Sequence, residues 1–385
     1  MSNNSKKSLG DYAAKIKVIG VGGGGGNAVS RMQDDFQIKS VDFLAINTDA
    51  QDLDYCRAKH KIYIGKNLTR GLGTGMNPEL GRQAAEETRS EIVEALKGAD
   101  LVFVTAGLGG GTGSGASPVI AEIAREQGAL TVGVVTKPFA FEGAQRSRIA
   151  QEALLKLKEK VDTLIVVPND RIFSVIKKDT PIMKAFEFID DVLRYSVQGI
   201  AELIAMPGIV NVDFADVKAI MKDAGSALVG IGISSGQERA MAAVDAAVNS
   251  PLLETSIDGA KGILFAVSGG KDLRLNEIHD IAKVIGESVD PGAKIIFGAY
   301  HDRKLRKGAI KVILLATGFN GQALKNSESS ISTLFGGDSS PIIKPVMMEE
   351  KLMRINSEKV VEKESKEKKK DEDIWDIPTF LRKKK

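Results

Sequence analysis

A chain of 385 residues, 43% hydrophobic and 27% charged, has the length of two or three soluble domains and enough apolar content for a sizeable core. Its single cysteine, Cys56, excludes an internal disulfide framework, and His60, His279 and His301 are too scattered for a zinc site. The net charge of +3 is uneven: residues 351–385 carry 12 Lys/Arg against 8 Asp/Glu, a net +4, so the body stands at −1 and bulk charge gives no case for nucleic-acid binding.

The first fifteen residues lack an apolar signal-peptide core, and no run approaches the ~20 apolar residues of a membrane span. The expectation is a cytoplasmic protein. In chain order, KIKVIGVG (15–22), VDFLAINTD (41–49) and KIYIG (61–65) read as strands. Residues 79–98 have helical spacing with a stop at Gly98. Strand DLVFVTA, a glycine loop and a helix over 117–127 follow, then strand 130–136, helix 144–160 and strand 163–168. Strands alternating with helices predict an α/β fold with a parallel sheet covered on both faces. From Ile182 to Ile204, apolar residues recur every three or four positions, with Pro181 suited to a start and Pro207-Gly208 to an end. This predicts a long central helix joining two domains. Four strand-like and two helix-like segments then predict a second, smaller α/β domain over 209–320. The Ser-, Glu- and Lys-rich stretch 321–370 reads as a disordered linker, and apolar residues return in 371–385.

Three glycine-rich segments carry the chemistry. The segment 107–115 has six glycines in nine positions between a strand and a helix, where backbone N–H groups can meet an anion. Thr112 and Ser114 add hydroxyls. No GKS or GKT follows, so this is not a Walker A loop. GVGGGGGNAV (20–29) satisfies GxGxxG through Gly20, Gly22 and Gly25, and GLGTGMNPELG covers 71–81. One such segment could be a tight turn; three in one domain point to a polyphosphate site. GxGxxG alone also fits an NAD(P) loop with Asp42 or Asp49 as ribose partner. Against that reading stand the extra glycine segments and the lack of a catalytic His/Lys set. Glu142 and Arg146, four apart, read as a surface ion pair or as a ligand-facing pair. Asp213 and Asp216, three apart in NVDFADV, read as a helix cap with solvated charge, or as two carboxylates that polarise a water or hold a cation.

Together and in this order, GVGGGGGNAV, NTDAQ, GLGTGMNP, GGGTGSG, TKPFAFEG, PND, NVDFADV, SPLLE and ATGF resemble the bacterial cell-division GTPases of the FtsZ branch of the tubulin/FtsZ superfamily. The resemblance covers about residues 14–320 and the terminal DIWDIPTFLRKKK. Two departures stand out: Ser114 replaces a threonine, and Thr74 and Met76 stand where the family more often has alanines.

The resemblance implies a Rossmann-like GTPase domain and a particular division of the chain. Residues 1–13 would be a flexible N-terminus, 14–180 the GTP-binding domain, 181–208 the central helix and 209–320 a GTPase-activating C-terminal domain. It implies GTP and GDP as ligands with Mg²⁺, and no dedicated protein metal site. Gly23, Gly24, Gly25, Gly26 and Asn27 would line the first segment. Amides of Gly73, Thr74 and Gly75 would approach the γ-phosphate, and Gly109, Gly110, Gly111, Thr112 and Gly113 would cradle phosphates. Glu142 would contact the ribose and Arg146 the phosphates. Asn169 and Asp191 would face guanine, with Asp190 as the alternative carboxylate and Phe186 stacking on the base. Asn211, Asp213 and Asp216 would act on the nucleotide of a neighbouring subunit, making the active species a head-to-tail filament of the division ring. The peptide 371–385, with Ile374, Trp375, Ile377, Phe380 and Leu381 beside Arg382–Lys385, would dock on membrane-anchor and regulatory division proteins such as FtsA or ZipA, or touch anionic lipid directly.

Overall fold

The computed structural model describes residues 14–35, 40–206, 208–253, 255–302 and 305–319. The expectations for residues 1–13, the 321–370 linker and the 371–385 peptide lie outside these residues.

Six apolar segments of the first half pair in parallel. They are β1 (Ile16–Val21), β2 (Val41–Asn47), β3 (His60–Tyr63), β4 (Leu101–Gly107), β5 (Leu130–Lys137) and β6 (Thr163–Pro168), in the spatial order β3-β2-β1-β4-β5-β6. β1, β4 and β5 are buried almost end to end because helices cover both faces. The strand order reverses between β1 and β4. The turns leaving these two strands therefore open beside each other at the carboxyl edge, where doubly wound sheets take ligands.

The helices of this half are α1 (Gly22–Asp35), α2 (Ala50–Tyr55), α3 (Lys66–Thr69), α4 (Pro78–Glu87), α5 (Arg89–Leu96), α6 (Gly111–Glu126), α7 (Ala144–Lys160) and α8 (Ile182–Ala205). α4 starts where Asn77 accepts from the Glu79 and Leu80 amides and Pro78 takes the first position. The single helix expected over 79–98 is two. It breaks at Thr88, whose hydroxyl turns back onto the Ala84 carbonyl at 3.2 Å and whose backbone leaves helical geometry.

A larger departure concerns the glycines. Residues 22–26 and 111–115, expected as loops, are the opening turns of α1 and α6. Glycine disfavours helix by roughly 1 kcal/mol per residue, and here close packing outweighs that cost. A Cβ on Gly115 would lie 1.9 Å from the Pro78 carbonyl oxygen of α4, and one on Gly113 would lie 2.6 Å from that of Gly107. Only bare backbone lets α6 approach this closely.

The second half supplies α9 (Phe214–Met221), β7 (Gly225–Ser235), α10 (Arg239–Val248), β8 (Gly262–Gly269), α11 (Leu275–Glu287), β9 (Lys294–His301) and β10 (Ala309–Thr317). β7 first pairs in parallel with β6 through Gly225–Ala227, then antiparallel with β10. The strands of the two expected units thus form one ten-stranded sheet, continuing β6-β7-β10-β8-β9. α8 lies along it. Val192, Leu193, Val197 and Ile200 share one buried cluster with Val132 and Val134 of β5 and with Ile313 and Leu315 of β10. Gly199 makes this approach possible, since a Cβ there would sit 2.7 Å from Ile313. α8 has 24 residues, a length of about 36 Å at ~1.5 Å per residue.

Candidate functional site: a cleft at two helix N-termini

A cleft of ≈ 990 Å³ opens where the β1–α1 and β4–α6 turns meet. Its floor is Val21 to Gly24 and Gly110 to Gly113. The two turns touch: a Cβ on Gly22 would lie 3.0 Å from the Gly113 amide nitrogen. Gly110 precedes α6 and no side chain caps the helix. The first-turn N–H groups therefore face the cleft without an intrahelical partner, and the helix dipole adds positive potential there. Thr74 and Thr112 bring hydroxyls to this end.

The side walls come from the Ala140–Glu142 turn with α7, and from α8. Glu142 is fixed twice, accepting from the Phe139 amide at 2.9 Å and from Arg146 Nη1 at 2.7 Å. Arg146 also borders the α6 turn, because a Cβ on Gly109 would meet the Arg146 carbonyl oxygen at 3.1 Å. The far end is rich in acceptors. Asn27 of α1, Asn169 after β6, and Glu187, Asp190 and Asp191 of α8 all line it. Asp191 accepts from Arg194 at 3.0 Å and remains 44% exposed. Asp190 instead pairs with Arg31 at 2.9 Å. Burial pushes the Asp190 carboxyl up to about 6, with Asp191 and Glu187 adding to the rise and Arg31 opposing it. Phe186 lies edge-on to the buried Phe139 at 5.7 Å and is itself 41% exposed, so its ring is open to the cleft.

Asn169 Oδ1 is buried and has no hydrogen-bond partner among the described residues. An orphaned buried acceptor in a cleft wall is costly unless a ligand donates to it.

The comparisons with known proteins meet this geometry. The sequence model described as Tubulin/FtsZ family, GTPase domain, matches residues 15–177, and that described as FtsZ family, C-terminal domain, matches 225–320. An FtsZ from M. jannaschii, solved as an empty dimer, is 47% identical, covering 82% of this chain and 90% of its own, with a TM-score of 0.77. The chain belongs to the FtsZ family. It is a guanine-nucleotide-binding GTPase. A mutant form of the M. jannaschii FtsZ matches at the same identity and TM-score, over 81% of this chain and 93% of its own. CetZ2 from Haloferax volcanii, solved as a GTPγS-bound protofilament, shares the fold at 24% identity and a TM-score of 0.68, over 83% of this chain and 99% of its own.

The chemistry of this cleft is compatible with a guanine nucleotide: uncapped helix amides can receive phosphate, and carboxylates with Asn169 Oδ1 can accept N–H groups such as those on the guanine edge. Of the residues expected at the site, Gly23, Gly24, Asn27, Thr74, Gly110, Gly111, Thr112, Gly113, Glu142, Arg146, Asn169, Phe186 and Asp191 line the cleft. Gly25, Gly26, Gly73, Gly75 and Gly109 do not. Gly25 serves packing, since a Cβ there would lie 2.4 Å from the Thr105 carbonyl oxygen. Asp42 is exposed on β2 away from the cleft, and Asp49 caps α2 by accepting from the Asp52 amide at 3.0 Å.

Asn211, Asp213 and Asp216 are not in the cleft either. All three are exposed. Asp213 caps α9, its Oδ1 accepting from the Ala215 amide at 3.2 Å, and Asp216 sits in the first turn. Asn211 Oδ1 accepts from the Gly208 amide at 2.6 Å. Among the described residues no group of three or more His, Cys, Asp or Glu is placed to hold a metal.

Sequence reasoning missed Arg31, Ser30, Asp34, Met183 and Glu187, which also line the cleft. Ser30, Arg31 and Asp34 follow Asn27 at three, four and seven positions, the spacing of one helix face. Reading 20–29 as a loop hid that face.

Proposed function

We propose that this chain is a cytoplasmic filament-forming GTPase of the division ring at the future septum, whose hydrolytic site is completed by a neighbouring copy. One observation carries the reading. Asp191, the tenth of the 24 residues of α8, lines the cleft, whereas Asp213 and Asp216 follow the helix's C-terminal end. From Asp191 to Ala205 the helix alone advances about 21 Å. Val210 then bridges to Ala299 of β9, at the far edge of the sheet from β1 and β4, so the two exposed carboxylates are held away from a nucleotide in the cleft of their own chain. A head-to-tail contact would bring them to the next chain's cleft, and heterologous contacts of this kind build open filaments. The M. jannaschii FtsZ solved as a dimer supports self-association in this family.

In this reading the amides of Gly110 to Gly113 and of Gly22 to Gly24 hold the phosphates, and Arg146 balances their charge. Glu142 takes the ribose. Asn169 and Asp191 read guanine while Phe186 stacks on it. Gly73 to Gly75 flank the terminal phosphate. Mg²⁺, which binds phosphate oxygens and keeps several waters, would offset their charge. Asp213 and Asp216 of the next copy orient the attacking water, with Asn211 holding their loop through the Gly208 amide. Phosphoryl transfer depends mainly on positioning and electrostatics, so a site split between subunits is chemically sound. Residues 14–180 form the nucleotide domain, α8 the joint, and 209–320 the domain that activates the next copy. The peptide 371–385 tethers the filament to membrane-anchor proteins such as FtsA or ZipA. None of the described helices is long and apolar enough to cross a membrane.

The test is GTP hydrolysis against protein concentration with Mg²⁺, with sedimentation of the same samples. A threshold above which rate and pellet rise together is expected. Hydrolysis strictly proportional to concentration, with nothing in the pellet, would refute the shared site.

A further inference from the structure

Three buried hydroxyls stand in a row at the phosphate end of the cleft. Thr48 Oγ1 lies 2.7 Å from Thr112 Oγ1, which lies 3.3 Å from Thr74 Oγ1. Thr48 is fully buried, behind the cleft wall; Thr112 and Thr74 line the cleft. Two contacts among three hydroxyls use two hydrogens and leave one over. Its position follows from burial. The hydroxyl of Thr48 has no other partner among the described residues, so a hydrogen not given to Thr112 would be stranded in the interior. Thr48 therefore donates to Thr112, and the spare hydrogen stands at the cleft: on Thr74 where Thr112 donates to it, or on Thr112 where Thr74 is the donor.

We propose that Thr74 is a specificity-determining residue that donates this hydrogen to the terminal phosphate of the nucleotide, so that the row Thr48–Thr112–Thr74 helps the cleft distinguish a triphosphate from a diphosphate. The proposal rests on the cleft being the guanine-nucleotide site. Two further features fit it. Thr74 sits in a loop whose Gly71, Gly73, Gly75 and Met76 all have positive φ, 84°, 75°, 56° and 65°, so the backbone is bent to present residue 74 inward. Gly111 makes room for the hydroxyl, since a Cβ on Gly111 would fall 2.1 Å from Thr74 Oγ1. The loop is thereby seated on the first turn of α6, whose amides face the same anion. Aligned hydroxyls polarise one another, so the last donor in the row is stronger than an isolated threonine. A γ-phosphate oxygen is charged and accepts such a hydrogen well; GDP offers no oxygen there.

The experiment is the ratio of GTP to GDP affinity, by competition with a fluorescent guanine nucleotide, using the full chain kept below its assembly threshold. Thr74→Val keeps the branched shape and removes the hydroxyl. Thr74→Ser keeps the hydroxyl and removes the methyl. We expect Thr74→Val to lower the GTP/GDP ratio about tenfold, the size of one lost hydrogen bond to a charged group, with GDP affinity held. Thr74→Ser is expected to keep the wild-type ratio. An unchanged ratio in Thr74→Val overturns the proposal, whether the two affinities stay put or fall together. A wild-type chain that binds neither guanine nucleotide would instead refute the nucleotide reading of the cleft.

Discussion

Arg31 Nε lies 2.9 Å from Asp190 Oδ2, tying α1 to α8 at the acceptor-rich end of the cleft. The pair is imperfect. Burial leaves the Asp190 side chain 16% exposed and raises its carboxyl to about 6, although Arg31 pulls the other way. An acid whose folded pKa is raised binds protons more tightly folded than unfolded. Its charge therefore costs stability, and the cost accrues as pH climbs from the unfolded value of 3.8 through about 6. Asp190→Asn removes the titration. The variant should be more stable than wild type at pH 7.5 in the nucleotide-free state. That advantage should shrink by about 1 kcal/mol at pH 5, where the native carboxyl is mostly protonated. Urea unfolding at the two pH values measures this; an advantage equal at both would rule out Asp190 as the titrating group.

Neighbouring glycines of α1 should behave in opposite ways. A Cβ on Gly25 would strike the Thr105 carbonyl oxygen at 2.4 Å, whereas one on Gly26 meets only Cys56 Sγ at 3.9 Å. Gly25→Ala should destabilise by about 2 kcal/mol or more, because backbone must shift to admit the methyl. Gly26→Ala should be neutral or stabilise by up to about 1 kcal/mol through helix propensity. Denaturant midpoints decide the matter, and equal effects from the two would mean the run is not helical.

That pair of glycines also shows what the sequence could and could not tell. The strand–helix alternation was legible because buried parallel strands are near-continuous apolar runs, and α7 and β6 fall on the expected residues, 144–160 and 163–168. The glycine runs were legible as chemistry and misread as shape. Local propensity says loop, while the approach of Gly115 to Pro78 and of Gly113 to Gly107 comes from residues distant in sequence. With the helix start misplaced, Arg31 and Ser30 lost their register with Asn27. Asp190 was weighed only as a stand-in for Asp191, since a single sequence does not show that Arg31 engages one carboxylate and leaves its neighbour to the cleft. The ordering of three hydroxyls from α6, the 71–76 loop and the end of β2 is likewise a tertiary fact.

Arg146 offers a contrast to Thr74. It is 41% exposed and bonded to Glu142, so its loss should cost little stability. In the proposed reading its charge, beside the α6 turn, balances phosphates common to GTP and GDP. Arg146→Ala should weaken both nucleotides by a similar factor, about tenfold, and flatten the salt dependence of binding. Arg146→Lys should fall between, keeping charge without the planar fork. Dissociation constants at low and high salt measure this. Loss confined to GTP would place Arg146 at the terminal phosphate instead.

Asp213 has a structural role that can be separated from the proposed catalytic one. Its Oδ1 caps α9 through the Ala215 amide. Asp213→Ala should cost about 1 kcal/mol as a lost cap, whereas Asp213→Asn keeps an acceptor and should be nearly neutral in stability. Both variants should bind GTP as wild type does, and both should lose turnover if the carboxylate orients water in the next subunit's cleft. A mixing experiment then tests the sharing itself. Asp213→Asn keeps a sound cleft, and Arg146→Ala keeps a sound Asp213. In an equal mixture at a GTP concentration where Arg146→Ala turns over slowly, random head-to-tail neighbours set a sound cleft against a sound Asp213 in about a quarter of contacts. The mixture should therefore hydrolyse GTP at up to about a quarter of the wild-type rate, well above the average of the two variants measured alone. Activity no greater than that average would mean that each chain carries its own complete site, and the separation of Asp213 from the cleft by α8 would then need another explanation.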